Sequence, residues 1–177
     1  MAVLCIAPAF AAQFDKYTKD TEIKAALTIL FDIGADEVFN NLDENSVHIA
    51  FYDLSVLSAD YQNHFAINTV DSFGNRYIFI STRFKGVSSE ELACLIVHES
   101  FHKSEIATLE EETLATSKEA EYWSKLKKPY KRYNHSRLLA RLDNLSELKI
   151  KTNSGKDFIM EKICNSSFYR QQLAIVR

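Results

Sequence analysis

The segment from Ser88 to His102 has the sequence SSEELACLIVHESFH, and the rest of the chain is organised around it. Ser88 and Glu91 stand at the spacing of a capping box, in which a serine side chain binds the backbone three residues on and the glutamate reaches back. The residues from 92 to 97 are all apolar, and a helix that is apolar on every side is a buried one. The segment therefore predicts a buried helix with polar residues at its C-terminal end.

The polar end reads His98-Glu99-Ser100-Phe101-His102, an H-E-x-x-H pattern. Because a helix turns by about 100° per residue, side chains four positions apart project from one face and can bind one ion. The pattern is typical of zinc sites, in which the intervening glutamate takes a proton from a metal-activated water. The alternative is a helix whose histidines border the core or face solvent. Buried polar groups without partners cost on the order of several kcal/mol, so we expect His98 and His102 to bind zinc and Glu99 to act as the general base.

The composition limits the class of protein. The chain has 177 residues, of which 46% are hydrophobic and 25% charged, and this is typical of one globular domain. A net charge of −3 gives no general reason to bind nucleic acid, so we expect no such partner. No apolar run approaches the length of a bilayer span, which predicts no integral membrane segment. The oligomeric state stays open.

The N-terminus differs from the rest of the chain. Residues 1–12 carry no charge, and Ala9-Phe10-Ala11 is the A-x-A pattern of a signal-peptide cleavage site. We therefore expect residues 1–11 to be the remnant of a signal peptide, residues 12–177 to form a single domain, and the protein to be exported to the periplasm or secreted. No basic residue precedes the apolar stretch, so the alternative is an apolar arm on a cytoplasmic protein.

Periodicity and turn residues predict the other elements. Alternating or β-branched residues predict strands over 47–54, 65–69 and 76–81. Apolar residues at helical spacing predict helices over 14–41 (with a stop at Gly34), 109–127, from Asn134 or Ser136 to 148, 158–164 and 168–176. A loop or short turn is expected over 55–63. The expected class is α+β: a small mixed or antiparallel sheet packed on the H-E-x-x-H helix, followed by a helical C-terminal half.

The next helix offers a third metal ligand, which a catalytic zinc site usually requires. Thr108 and Glu111 form a second capping box, and Glu110, Glu111 and Glu112 stand in the first turn. Glu112 lies on the apolar side of that helix, with Leu109, Thr116, Trp123 and Leu126. It is therefore the expected ligand. Glu111 is the alternative if the helix begins in another phase, and a third reading is that the three glutamates only favour the positive helix N-terminus.

A basic region follows this helix. Its members are Lys125, Lys127, Lys128, Lys131, Arg132, Arg137 and Arg141. No aromatic residues are interleaved in a nucleic-acid-binding pattern, so we interpret the region as a solvated face.

The combination of H-E-x-x-H with Glu112-Thr113-Leu114-Ala115-Thr116 resembles the gluzincin metallopeptidases, which pair H-E-x-x-H with a glutamate in an E-x-x-A or E-x-x-S segment. The region from Val47 to Trp123 looks like a group of small bacterial zincins with an E-E-x-x-A pattern and a later Trp. This resemblance implies a zincin-like fold, a Zn²⁺ cofactor and a peptide or protein substrate. It also implies that His98, His102 and Glu112 are ligands and that Glu99 is catalytic.

Two other functions remain open. One is a non-catalytic binding protein that keeps zinc for stability, and the other is a cytosolic regulatory protease. An intact Glu99 favours an enzyme over the binding protein.

Overall fold

A small mixed sheet is surrounded by helices in the computed structural model, which describes residues 12–103, 108–129, 131, 133–151, 159–161 and 163–164. The helices of these residues include α1 (Thr21–Asp32), α2 (Asp36–Glu44), α3 (Leu54–Leu57), α4 (Ser89–Ser100), α5 (Leu109–Leu126) and α6 (Arg137–Lys151). The strands are β1 (His48–Tyr52), β2 (Ala66–Val70) and β3 (Arg76–Ser81), and short 3-10 turns cover Ala59–Asn63 and Thr82–Phe84. The predicted α+β class with a helical C-terminal half is confirmed.

The sheet has the strand order β1-β3-β2. β1 runs parallel to β3, with Ile49 opposite Ile78, and β2 runs antiparallel to β3, with Ala66 opposite Ile80. Strands β2 and β3 form a hairpin whose turn contains Gly74 at a φ of 86°, where a side chain would be strained. Of the two arrangements predicted for the sheet, the mixed one is therefore observed.

Helix α4 lies at the centre of the fold. Its side chains from Glu90 to Ser100 are all buried, as the apolar run predicts. It packs against α1 and α5, and against β2 and β3 of the sheet. The predicted capping box is present, since Glu91 N donates to Ser88 Oγ and Ser88 N donates to a Glu91 carboxylate oxygen, both at 3.2 Å. Cap and burial together place the H-E-x-x-H residues in the interior.

The helix predicted over 14–41 is two helices and begins later than expected. Gly34 adopts a φ of 69° and separates α1 from α2, as its role as a stop predicts. The start at residue 14 is wrong, because the Asp20 side chain accepts hydrogen bonds from the amides of Glu22 and Ile23 and caps α1 there. The loop or short turn expected over 55–63 contains the short α3 and a 3-10 turn.

The later helices agree with the sequence pattern. Helix α5 spans nearly all of the predicted range, and α6 begins at Arg137 because Ser136 Oγ accepts from the amide of Leu139 at 2.8 Å. Ser136, rather than Asn134, is therefore the cap. Residues 159–161 and 163–164 are helical.

The expectations for residues 1–11 and 168–176 lie outside the described residues, so the signal peptide stays a prediction. Within the described part of the chain, none of the helices has the length and apolar character that crossing a membrane requires.

Candidate metal centre

Two histidines meet at the C-terminal end of α4. His98 lies in the last turn of the helix, and His102 follows its end, since Phe101 is the C-cap. The backbone stays tightly turned there, because the amide of His102 donates to the carbonyl of Glu99 at 3.2 Å. The two Nε2 atoms consequently face each other at 3.2 Å, and each residue is only 6% exposed. Both imidazoles share one face, although His102 lies just beyond the regular helix.

Helix α5 brings Glu112 to the same point. The capping box of Thr108 and Glu111 starts the helix in the predicted phase, so Glu112 falls on its buried face and is 7% exposed. Glu112 Oε2 lies 3.7 Å from His98 Nε2, and Oε1 lies 3.6 Å from His102 Nε2. The structure therefore places Glu112 beside both histidines.

These three residues fit a divalent metal ion. One ligand atom from each of His98, His102 and Glu112 lies within 4.8 Å of the others. A tetrahedral zinc with bonds of about 2.0–2.2 Å separates its ligand atoms by about 3.3–3.6 Å, close to the distances observed here. Glu112 Oε2 is buried and has no hydrogen-bond partner among the described residues, so a cation would satisfy it. Two imidazoles and a carboxylate suit zinc and other divalent first-row metals.

The other two glutamates of this turn have different surroundings. Glu111 accepts from the amide of Thr108 at 3.1 Å and from the amide of Lys103 at 3.2 Å. It therefore closes the connection between α4 and α5 as a cap. Glu110 is exposed. The group of described residues that could hold a metal contains Glu112 and neither of these neighbours.

A further carboxylate, Glu119, contacts His98 from the opposite side of the ring. Glu119 is fully buried, and its Oε2 lies 3.2 Å from His98 Nδ1, an ion-pair distance without hydrogen-bond alignment. Its Oε1 accepts a hydrogen bond from Arg141 Nη1 on α6. The sequence pattern did not single out Glu119. The available signal was its position two helical turns after Glu112, on the same buried face of α5.

The charges around the histidines set their protonation. Burial alone would lower the pKa of His98, but the carboxylates of Glu119 and Glu112 outweigh it and raise that pKa. Burial and the charge of His98 lower the pKa of His102 to about 3, so His102 is neutral at pH 7, the form that binds metals. Burial alone would raise the pKa of Glu119, but the charge of Arg141 and the contact with His98 hold it below its usual range.

Glu99 is a further buried carboxyl group of α4, 6% exposed and next to His98 in the chain. Burial raises its pKa to about 7, and the negative charges of Glu112 and Glu119 contribute further. Within the described part of the chain, no group donates a hydrogen bond to its carboxylate. A carboxyl group that titrates near neutral pH suits a general acid or base.

Two strands of the sheet hold the end of α4 through its backbone. Asn68 Nδ2 on β2 donates to the carbonyls of Glu99 at 3.0 Å and His102 at 3.2 Å. Arg76 on β3 donates to Asn68 Oδ1 at 3.1 Å and to the carbonyl of Lys103 at 2.8 Å. These bonds add donors to carbonyl groups at the end of the helix, where the regular hydrogen-bond pattern stops. They position the backbone on both sides of His102.

The lysines of the basic region and Arg137 are exposed, as a solvated face predicts, but several of its cations also pair with carboxylates. Lys131 pairs with buried Glu90 at 2.5 Å, and Lys127 pairs with Asp143 at 2.6 Å. Arg141 pairs with Glu119 behind His98. Several of these cations therefore neutralise carboxylates within the fold.

No protein-family model, curated protein or solved structure matches the chain. Its function is therefore inferred from its own residues and their geometry.

Proposed function

We propose that this protein is a zinc-dependent metallopeptidase of the gluzincin type, which hydrolyses peptide bonds in peptide or protein substrates. The observation that carries the proposal is the buried convergence of His98, His102 and Glu112, with Glu99 between the two histidines in the chain. The donor set and its spacing suit zinc, and His98, His102 and Glu112 would hold it. Zinc, when bound, polarises a scissile carbonyl and lowers the pKa of water.

Glu99 supplies the proton transfer. Its carboxylate takes a proton from the attacking water and gives it to the nitrogen of the leaving amine when the peptide bond breaks. A pKa of about 7 suits both halves of this task, because the group can accept and release a proton near neutral pH.

The buried state of Glu99 favours an enzyme over a non-catalytic zinc-binding protein. A carboxyl group that is 6% exposed and has no hydrogen-bonded donor among the described residues does not stabilise the fold. A binding protein that keeps zinc for stability has no need of such a group. The same chemistry would serve an exported peptidase, as residues 1–11 predict, or a cytosolic regulatory protease.

The test of this function is Glu99→Gln, with the exposed Glu110→Gln as its matched control. We expect all three proteins, wild type included, to hold about one zinc per chain by metal analysis, because neither glutamate is a proposed ligand. In digestion of a peptide library, the Glu99 variant loses about 10²- to 10⁴-fold in rate, and the control does not.

Two results would count against the proposal. Equal hydrolysis by wild type and the Glu99 variant would exclude Glu99 as the base. A wild-type protein that holds zinc and cuts no peptide in the library would instead support the zinc-binding protein.

A further inference from the structure

His98 is connected to two other helices through a continuous chain of polar contacts. Its Nε2 faces His102 and Glu112, while its Nδ1 lies 3.2 Å from Glu119 on α5. The other oxygen of Glu119 accepts a hydrogen bond from Arg141, which lies in the second turn of α6. Polar contacts thus connect α6, through Glu119 of α5, to an imidazole ring of α4.

The charges in this chain of contacts depend on one another. The Glu119 side chain has no exposed surface, whereas that of Arg141 is 23% exposed. A carboxylate buried to this degree needs a nearby cation or donor, and removing one partner of such a pair leaves an uncompensated buried charge. Arg141 is that cation, and its guanidinium carbon also lies 5.5 Å from the centre of the Phe65 ring, within cation–π distance.

The neighbouring polar group on α5 does not substitute for Glu119. Thr116 lies on the same buried face, one turn before Glu119, but its hydroxyl has no hydrogen-bond partner among the described residues. Glu119 is therefore the group of α5 that contacts His98 Nδ1. A carboxylate at the second nitrogen of a metal-binding histidine fixes the ring orientation and raises its basicity.

We propose that Arg141 is a positioning residue of the metal centre. It holds the Glu119 carboxylate against His98 Nδ1, and the carboxylate in turn directs His98 Nε2 toward the metal. The C-terminal helix α6 is in this way part of the metal centre, although it contributes no ligand. The inference rests on the proposed metal site and does not depend on peptide hydrolysis.

The experiment measures zinc affinity, by competition with a chelator, in four variants: Glu119→Gln, Arg141→Met, the double variant of both, and Arg137→Met. Glutamine and methionine keep roughly the length of the side chains and remove the charges. Arg137 is the matched control because it is an exposed arginine one turn earlier on α6. The visible spectrum of the Co²⁺-substituted proteins reports on the ligand geometry, which a loss of stability alone does not change.

We expect Glu119→Gln and Arg141→Met each to weaken zinc binding by about 10- to 100-fold and to shift the cobalt spectrum. The double variant should bind zinc no more weakly than Glu119→Gln, because Arg141 acts only through Glu119. Arg137→Met should match the wild type. Wild-type zinc affinity in Arg141→Met, or losses that multiply in the double variant, would overturn the inference.

The same four variants distinguish a loss of folding from a loss of zinc binding. If Arg141→Met alone does not fold, the double variant should still fold and bind zinc like Glu119→Gln, since it leaves no unpaired buried charge. A double variant that is also unfolded would show that Arg141 acts on stability independently of Glu119, and would overturn the inference. Zinc binding without hydrolysis in the wild type would refute only the proposed peptidase, whereas a wild type that binds no zinc would refute both.

Discussion

At the scale of single residues, three adjacent glutamates in the first turn of α5 have three different environments. Glu110 is exposed, Glu111 serves the capping box, and Glu112 lies beside His98 and His102. Successive residues of a helix point about 100° apart, so the start of the helix decides which carboxylate faces the interior. Thr108 sets that start, and a capping residue therefore selects the proposed metal ligand.

This assignment predicts distinct effects for three matched variants. Glu112→Gln should weaken zinc binding sharply, because it removes one of three ligands. Glu111→Gln should lower the free energy of unfolding by about 1 kcal/mol through loss of the cap and leave zinc bound. Glu110→Gln should change neither quantity. Zinc titration and chemical denaturation of the three proteins measure both effects. If Glu111→Gln loses zinc and Glu112→Gln retains it, Glu111 is the ligand.

At the scale of secondary structure, the hairpin of β2 and β3 determines how α4 ends. The last carbonyls of a helix have no partners within it, and here Asn68 and Arg76 supply donors to that end. The strands therefore help to hold the short stretch that carries His102 beyond the end of the regular helix.

Replacement of Asn68 by Ala should affect stability and metal binding together. It removes one donor each from the carbonyls of Glu99 and His102, which keep the amide of His102 and the more distant Arg76 as partners. The loss of a hydrogen bond of this kind costs about 0.5–1.5 kcal/mol. We expect a loss of that order in the free energy of unfolding and weaker zinc binding, because His102 is no longer held. The control is Asn144→Ala on the exposed side of α6. Denaturation and chelator competition measure the two effects, and unchanged zinc affinity in Asn68→Ala would contradict the positioning role.

At the scale of the whole molecule, the proposed metal centre joins parts of the fold that pack around α4. His98 and His102 come from the end of α4, Glu112 from α5, and Glu119 and Arg141 connect the centre to α6. Unfolding separates these groups, so a metal that they bind together favours the folded state by mass action.

Removal of metal should consequently lower the melting temperature of the wild type. Free zinc at about 100 times its dissociation constant stabilises the folded state by about 2.7 kcal/mol. For a chain of this length that corresponds to a shift of roughly 5–10 °C. His102→Ala, which lacks a ligand, should melt at the same temperature with zinc or with chelator, while Glu110→Gln should respond like the wild type. Thermal unfolding followed by circular dichroism gives the comparison, and a wild type that melts alike in both conditions would argue against a metal shared by α4 and α5.

The sequence by itself determined the local features of this protein. The capping boxes at Ser88 and Thr108, the apolar run of α4 and the stop at Gly34 each depend on residues a few positions apart, and the structure shows all of them. The burial of Glu112 followed from the same kind of pattern, because helical phase alone put it on the apolar face of α5. The start of α1 was missed, since a single aspartate cap outweighed a longer apolar pattern.

Only the tertiary structure decided which distant residues meet. The parallel pairing of β1 with β3, the contact of Glu119 with His98, and the pairing of Arg141 with Glu119 join positions on different elements. In the sequence, Arg141 belonged to a run of cations indistinguishable from a solvated surface. Its role depends on the packing of α6 against α5, which brings Arg141 to the buried carboxylate of Glu119. The sequence of either helix alone does not predict this pair.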